Sequence, residues 1–275
     1  MSVGIITDSA AALPPELVAR HGISVVPMWL TVRGEPELEG GRSLEELVTE
    51  DRVTTSAPTP GEFEASIKDA LRTHDAAVVL TIASSMSATH ASALIAAQSV
   101  GGDVRVIDTA NAGGAEALVV LAAARTAATG ATLTEVEDRA RVVIERVRLV
   151  AALSSLDHLV RSGRVPGIAG WAGRRLGINP LFEFRGGKVH RLRPALSQEA
   201  ALDRILAMVR RTRPEGDARL HVAALHALAV DVARDLFDRV GELDPVTAFV
   251  GEFGPVMVVH TGPGLAGLAW WWESP

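Results

Sequence analysis

The first half of the chain alternates short β-branched runs with amphipathic stretches. VGIITDS and ISVVPMWLTV read as strands on either side of PPELVARHG, whose prolines suit the first turn of a helix. RGEPELEGGR, rich in Gly and Glu, reads as a loop, and SLEELVTE after it carries the Ser43/Glu46 spacing of a capping box. TTSAPTP reads as another loop. GEFEASIKDALRTH predicts a helix, AAVVLTIAS a buried strand, THASALIAAQSV a helix and VRVIDT a further strand, with two helices, EALVVLAAARTAAT and LTEVEDRARVVIERV, behind them. Strands alternating with helices imply a parallel sheet covered on its faces, so residues 1–148 are expected to form a three-layer α/β/α domain.

Past residue 148 the texture changes. LVAALSS reads as a strand, LDHLVRSGRV as a short helix and turn, and PGIAGWAGRRLG as a small-residue helix or loop. In INPLFEFRGGKVHRLRPAL two alternating runs flank Gly186-Gly187, a hairpin signal. A helix (QEAALDRILAMVRRT), a strand (RLHVAALHA), a helix (VDVARDLFDRVG) and three terminal strands complete a two-layer α/β domain with a mixed sheet over residues 149–275. The apolar GPVMVVHTGPG is expected to be one of those strands, ending at His260. The fold class is α/β with two domains, which suits a length of 275 residues.

Composition narrows the function classes. A net charge of −6 gives the molecule no overall positive field for nucleic acid or anionic lipid, so nucleic-acid partners are not expected. The absence of cysteine excludes disulfides, thiolate catalysis and Cys-bound zinc, and no HExxH spacing offers another metal site. The N-terminus has no basic stretch ahead of a long apolar run, and no apolar run approaches the ~20 residues a bilayer requires. A cytoplasmic protein without stable membrane insertion is expected.

In a parallel α/β sheet, ligands bind beyond the C-terminal strand ends. Thr7-Asp8-Ser9, the run from Ser84 to Thr89, and Asp108-Thr109 with Asn111 all fall there, and Thr54-Thr55-Ser56 sits in a loop free to close over the same rim. Hydroxyls beside the N–H groups of a helix start hold carboxylate or phosphate without a cation. The same residues are also ordinary helix caps; several clusters on one rim raise the case for a site. No GxxxxGK[ST] or strand-following GxGxxG supports a nucleotide. Ser87 and His260 with Asp8 or Asp108 offer an alternative, an autonomous acyl hydrolase, although the chain has no GxSxG elbow. Arg164 in RSGRV and Arg193 in HRLRPAL stand on turns, solvated by default but of the type that meets phosphate with two parallel bonds.

Read in order, TDSAAALPPELVARHGISVVPM, TTSAPTPGEF, IASSMSATHASA, VIDTANA, LVRSGRV with LGINPLFEFRGGKVHRLR, and GPVMVVHTGPGLAG resemble the DegV family over nearly the whole chain. That family comprises bacterial fatty-acid-binding proteins, the acyl-carrying component of fatty acid kinase. The resemblance implies two α/β domains with one long-chain fatty acid buried between them, and a separate ATP-dependent kinase subunit as partner. It implies no cofactor, no metal and no catalytic residue of the chain's own, with membrane contact limited to transient lipid exchange. By motif position it puts Thr55, Ser87 and His260 on the carboxylate. Thr54, Ser56, Ser84, Ser85, Thr89 and Thr261 would form a supporting shell, and Arg164 and Arg193 would serve phosphate transfer or kinase docking. SSMSATH is one residue shorter than the family's usual SSGLSGTY, so Ser87 takes its role from its place before Ala88-Thr89.

Overall fold

A computed structural model describes residues 1–50, 52–164 and 179–274, so the stretch PGIAGWAGRRLG lies outside the described residues. The chain runs β1 (Val3–Asp8), a 3-10 turn (Ser9–Ala11), α1 (Pro15–His21), β2 (Ile23–Val26), β3 (Trp29–Val32), β4 (Glu35–Leu38), α2 (Leu44–Thr49) and β5 (Val53–Ser56). It continues through α3 (Pro60–Ala70), β6 (Ala76–Thr81), α4 (Thr89–Val100), β7 (Val104–Asp108), α5 (Gly113–Ala128) and α6 (Leu133–Arg146). Then follow β8 (Arg148–Ala152), α7 (Asp157–Ser162), β9 (Leu181–Arg185), β10 (Lys188–Arg191), α8 (Gln198–Arg211), β11 (Arg219–Ala227), α9 (Val230–Gly241), β12 (Thr247–Glu252), α10 (Pro255–Thr261) and β13 (Leu265–Glu273).

Two main sheets result. The first has the order β2-β1-β6-β7 with every pair parallel. The second, β10-β9-β8-β13-β11-β12, is mixed: β11 and β12 are parallel and the other pairs antiparallel. Helices α3 and α4 cover the outer face of the parallel sheet through Phe63, Ile67, Ala93 and Ala96. On the mixed sheet α8 and α9 do the same through Leu202, Ile205, Val209 and Leu236. Between the sheets lies α5, whose residues from Gly113 to Ala124 are all buried. A helix that is apolar on every side belongs inside a protein, and α5 touches β1 on one side and β11 and β13 on the other. The expected two-domain α/β fold, a parallel three-layer unit joined to a mixed-sheet unit, is what forms.

Close approach of α5 to the mixed sheet depends on its first two residues. A Cβ on Gly113 would lie 2.8 Å from the Phe253 ring, and one on Gly114 would lie 2.8 Å from the Ala223 Cβ and 2.9 Å from a Leu225 methyl. Gly113 also sits at φ 56°, where a side chain is strained.

Two segments differ from the sequence reading. ISVVPMWLTV breaks at Pro27, so β2 joins the parallel sheet while β3 anchors a separate antiparallel flap of order β4-β3-β5. The flap's outer strands are RGEPELEGGR and TTSAPTP, both expected as loops. β4 lies at an edge and is mostly exposed, a position where Pro36 costs no buried hydrogen bond. The second difference is GPVMVVHT, which forms α10 instead of a strand. Its valines give it strand texture, but Pro255 occupies the first helical turn, Gly254 precedes it in an extended conformation, and Gly262 ends it at φ 74°. Packing against α7, α2 and the flap decides the outcome.

Candidate functional site

Strand order reverses between β1 and β6, since β2 lies on one side of β1 and β6 on the other. Ligand clefts in open sheets form at such a switch point. A cavity of about 430 Å³ opens there and runs between the two sheets. Its walls are mainly hydrocarbon: Ile82 and Met86 after β6, Leu149 and Ala151 of β8, Phe182 and Phe184 of β9. On β8 the period of two sends Leu149 and Ala151 toward the cavity side and Val150 and Ala152 toward α8.

One end of this cavity is polar. Thr55, Ser162, Arg164 and His260 line it and also line an adjoining cavity of about 330 Å³ that holds Glu50, His158 and Arg161. These four residues therefore stand between an apolar chamber and a polar one. Pairing of Leu30 with Thr55 sets the flap register that turns Thr55 inward, and α10 brings His260 to meet it from the other half of the chain. Thr55 Oγ1 and His260 Nε2 are 2.7 Å apart. Burial, and then the nearby Arg164 guanidinium, push the His260 imidazole down to about 4, so it is neutral at neutral pH. The Arg164 guanidinium itself donates to the Ser162 carbonyl at 3.1 Å.

Glu39, at the end of the flap hairpin, holds α10 in place. Its carboxylate accepts from Ser9 Oγ and, at 3.3 Å, from the Met28 N–H; its other oxygen accepts from the Val256 N–H at 3.0 Å. A carboxylate on the first turn of a helix satisfies an otherwise orphaned donor and favours the dipole. One side chain thus ties β1, the flap and the helix bearing His260. Nothing in EGG marks Glu39 for this, because its partners are distant in sequence.

The remaining expected residues divide. Ser87 lines the apolar cavity, shares a 2.7 Å hydrogen bond with Thr89 Oγ1 and accepts from the Thr89 N–H at 3.3 Å, so it both takes up the first amide of α4, one residue ahead of the N-cap Ala88, and faces the chamber. Thr89 is fully buried behind it. Ser56 and Thr261 also line the chamber, whereas Thr54 reaches only the polar one. Ser84 and Ser85 line neither, contrary to the expected headgroup shell. Ser84 gives its N–H to Asp108, and Ser85 Oγ donates to the Gly187 carbonyl at 2.6 Å, clasping the β9–β10 hairpin to the parallel sheet. Arg193 is exposed, lines neither chamber and offers its carbonyl to Arg204, so the two expected arginines do not converge.

The hydrolase alternative fails on geometry. Ser87 bonds to Thr89 and His260 to Thr55. Asp8 is spent on the Ala10 and Ile82 amides, and Asp108 on those of Ser84 and Ala110, so the described residues form no Ser-His-Asp relay. Among the described residues no group of three potential metal ligands gathers, and no helix is long and apolar enough to cross a membrane.

A buried pair of carboxyls lies behind the cavity wall. Asp8 and Glu116 are both fully buried. Desolvation raises the Asp8 pKa to about 7 and pushes Glu116 well above the carboxylate range, with Asp8 itself adding to the latter shift. Among the described residues no donor faces Glu116 Oε2. A proton on Glu116 shared with Asp8 explains this, because like charges at such a site do not both ionise. A lone acid in the apolar run GGAEALVVLAAA was the readable sign of it.

Comparisons with known proteins agree with this architecture. The profile of the DegV family, described as uncharacterised proteins, matches residues 2–273. A DegV domain-containing protein of Mycobacterium tuberculosis is 34% identical, covering 98% of this chain and 96% of that protein. A fatty acid-binding protein of Thermotoga maritima is 27% identical, covering 98% and 97%. A fatty-acid-binding DegV family protein from Thermus thermophilus superposes with a TM-score of 0.91 at 28% identity, covering 98% of this chain and 99% of that one. On this match over its whole length, the chain belongs to the DegV family.

Proposed function

We propose that this protein binds one long-chain fatty acid in the 430 Å³ chamber and presents its carboxylate to a separate ATP-dependent kinase subunit. The acyl chain lies between the units formed by residues 1–148 and 149–275. Its headgroup meets Thr55, Ser87 and His260, with Ser56 and Thr261 beside them. The observation that carries the reading is an apolar chamber closed by a neutral hydroxyl–imidazole pair at 2.7 Å. At ~0.8 kcal/mol per buried CH₂, an acyl chain of about 16 carbons offers on the order of 10 kcal/mol before association costs. The headgroup donors then have only to orient the carboxylate and offset its desolvation.

A neutral cradle suits a carrier whose cargo changes charge. In acyl phosphate formation a carboxylate oxygen attacks the γ-phosphorus of ATP, the bond to the β–γ bridging oxygen breaks, and ADP leaves. A buried cation paired with the carboxylate would oppose that attack, whereas hydroxyl and imidazole groups serve the carboxylate and the mixed anhydride equally well. Arg164, lining both chambers, meets the added phosphoryl charge from the polar side. Arg193, exposed on the same half of the chain, is assigned to kinase docking. The chain supplies no catalytic group and no cofactor, acts in the cytoplasm without binding nucleic acid, and touches membranes only to exchange lipid.

Native mass spectrometry of the purified protein tests the binding step: a single bound fatty acid is expected, and a mass equal to the bare chain after incubation with oleate would refute it. Incubation with a fatty acid kinase, ATP and labelled fatty acid tests presentation, with Arg164→Ala expected to retain lipid and lose phosphorylation.

A further inference from the structure

At the C-terminal end of α5, away from the lipid chamber, a second cavity of about 240 Å³ opens between α5, α6 and the mixed sheet. Its walls include Arg125 and Thr126 of α5, Arg139 of α6, His221 of β11, Thr247 of β12 and Trp271 of β13. The aromatic wall is rigid: the His221 and Trp271 rings stack at 4.4 Å and 8°, and the Arg139 guanidinium lies 4.9 Å from the Trp271 ring centre. His221 Nδ1 and Thr247 Oγ1 are 2.8 Å apart, and Arg125 donates to that same hydroxyl oxygen. The Thr247 proton therefore goes to His221 Nδ1, which leaves Nε2–H to face Glu273.

Charge around this cavity is unbalanced. Glu273 serves Arg139, Arg219 and His221 together. Among the described residues Arg125 has no carboxylate within ion-pairing distance; its hydrogen-bond partner is the neutral Thr247 hydroxyl. The charged groups near enough to act on Arg125 are Glu273 and a second cation, Arg20, from the last turn of α1, with His21 alongside. Glu273 is thus taken up by two arginines and a histidine, while Arg125 is left with a neutral partner, in a molecule whose net charge is −6. Thr126 and the neighbouring Thr129 give their hydroxyl protons to backbone carbonyls of α5 at 3.0 and 2.7 Å, so the cationic donors of the cavity wall are the guanidinium groups of Arg125 and Arg139.

We propose that this cavity binds the phosphoryl group of a small polar metabolite, held by Arg125 with Arg139 opposite. A guanidinium fork matches two oxygens of a phosphoryl group, and a phosphoryl dianion brings a third oxygen and a second charge to a cavity with two guanidinium groups in its wall. The site uses none of the residues of the lipid chamber and goes beyond the function proposed above.

The test is a calorimetric titration of the full-length, lipid-loaded protein at low ionic strength with inorganic phosphate, and in a parallel arm with acetate. Tryptophan fluorescence serves as second readout, because Trp271 forms the wall. Saturable phosphate binding is expected, weakened at least tenfold in Arg125→Ala and in the more conservative Arg125→Gln. Arg72→Ala, which removes an exposed arginine of the α3 region paired with Asp69, should bind phosphate like the parent. Absence of saturable binding, or equal binding by the Arg125 variants, overturns the site. Acetate binding as tight as phosphate overturns the assignment to a phosphoryl group. Retained fatty acid in Arg125→Ala, read by native mass, shows that the variant is folded and that the lipid site is independent.

Discussion

The two ends of α5 solve the problem of an anion in opposite ways. At the N-terminal end, beside Ala112, the chamber is hydrocarbon and its polar mouth is neutral, Thr55 with His260. At the C-terminal end two arginines, Arg125 and Arg139, stand in the cavity wall and, among the described residues, no acid does. On the proposed function the first arrangement draws affinity from burying a tail and leaves the headgroup free to react. The second has no tail to bury and must draw its affinity from charge. What separates them is that α5, apart from Glu116, is apolar as far as Ala124 and becomes polar at Arg125.

That contrast breaks most visibly if the hydrocarbon chamber is filled. Ala151→Trp places an indole where β8 faces the chamber, at a residue 1% exposed. Excluding half of an acyl chain removes several kcal/mol at ~0.8 kcal/mol per CH₂, so long-chain fatty acid should bind at least a hundredfold more weakly. Binding of a short-chain acid, weak in the parent, should change little. Displacement of a fluorescent fatty acid reads both, and equal loss for short and long chains would mean that the added indole had disturbed the headgroup instead.

His260→Ala is the next largest. On the proposed function it removes a donor to a desolvated carboxylate, a loss of about 1.5–3 kcal/mol for a hydrogen bond to a charged group, or roughly ten- to a hundredfold in affinity. Thr55→Val should cost less, and the double variant little more than His260→Ala, because the two side chains act through one hydrogen bond. Full additivity of the two changes in the same displacement assay would separate them into independent contacts.

How far the sequence carried this picture depends on the range of each interaction. Alternating strands and helices, the capping box at Ser43 and the hairpin at Gly186-Gly187 were readable because period and turn chemistry are local. Residues Thr55, Ser87, His260 and Arg164 were reached by motif position, and the structure puts all four on one chamber. The flap was missed: β4 and β5 are short, polar strands that exist because β3 lies between them. α10 was misread because its valines favour a strand, and the Glu39 carboxylate that starts the helix comes from 217 residues away. Ser84 and Ser85 show the converse error, since hydroxyls at a strand end serve equally to clasp a loop.

Acidity divides the interior by sign. Asp8 titrates near 7 when folded against an ordinary 3.8. Between those values the unfolded chain has released a proton that the folded one keeps, so stability falls as pH rises through that window, by about 1.4 kcal/mol per unit for an unscreened group. His260 and His221, held near 4 by burial, act in the other direction, and stability falls as pH drops from 6.5 toward 4. The thermal midpoint should therefore peak near pH 6. Glu116→Gln keeps the shape and the donor to Asp8 but removes the proton that Glu116 retains when folded; the decline from pH 6 to pH 8 should shrink by a few degrees while the histidine-driven acid limb steepens. An unaltered alkaline limb would remove the carboxyl pair as its cause.

The smallest effect distinguishes a cap from a ligand contact at Ser87. Its oxygen accepts from the Thr89 N–H and lies 2.7 Å from Thr89 Oγ1. If the Thr89 hydroxyl donates there, the Ser87 proton is left to point into the chamber. Ser87→Ala should then weaken fatty-acid binding about threefold to tenfold and lower stability by about 1 kcal/mol, the usual net cost of a lost hydrogen bond. Thr89→Val keeps Ser87 but frees its rotor, and should cost less than Ser87→Ala. In a Ser87→Ala background the Thr89 change should have no effect on binding at all, because Thr89 touches the ligand only through Ser87. A Thr89→Val penalty that survives in that background would assign Thr89 to packing beneath α4 and leave Ser87 as a cap that happens to face the cavity.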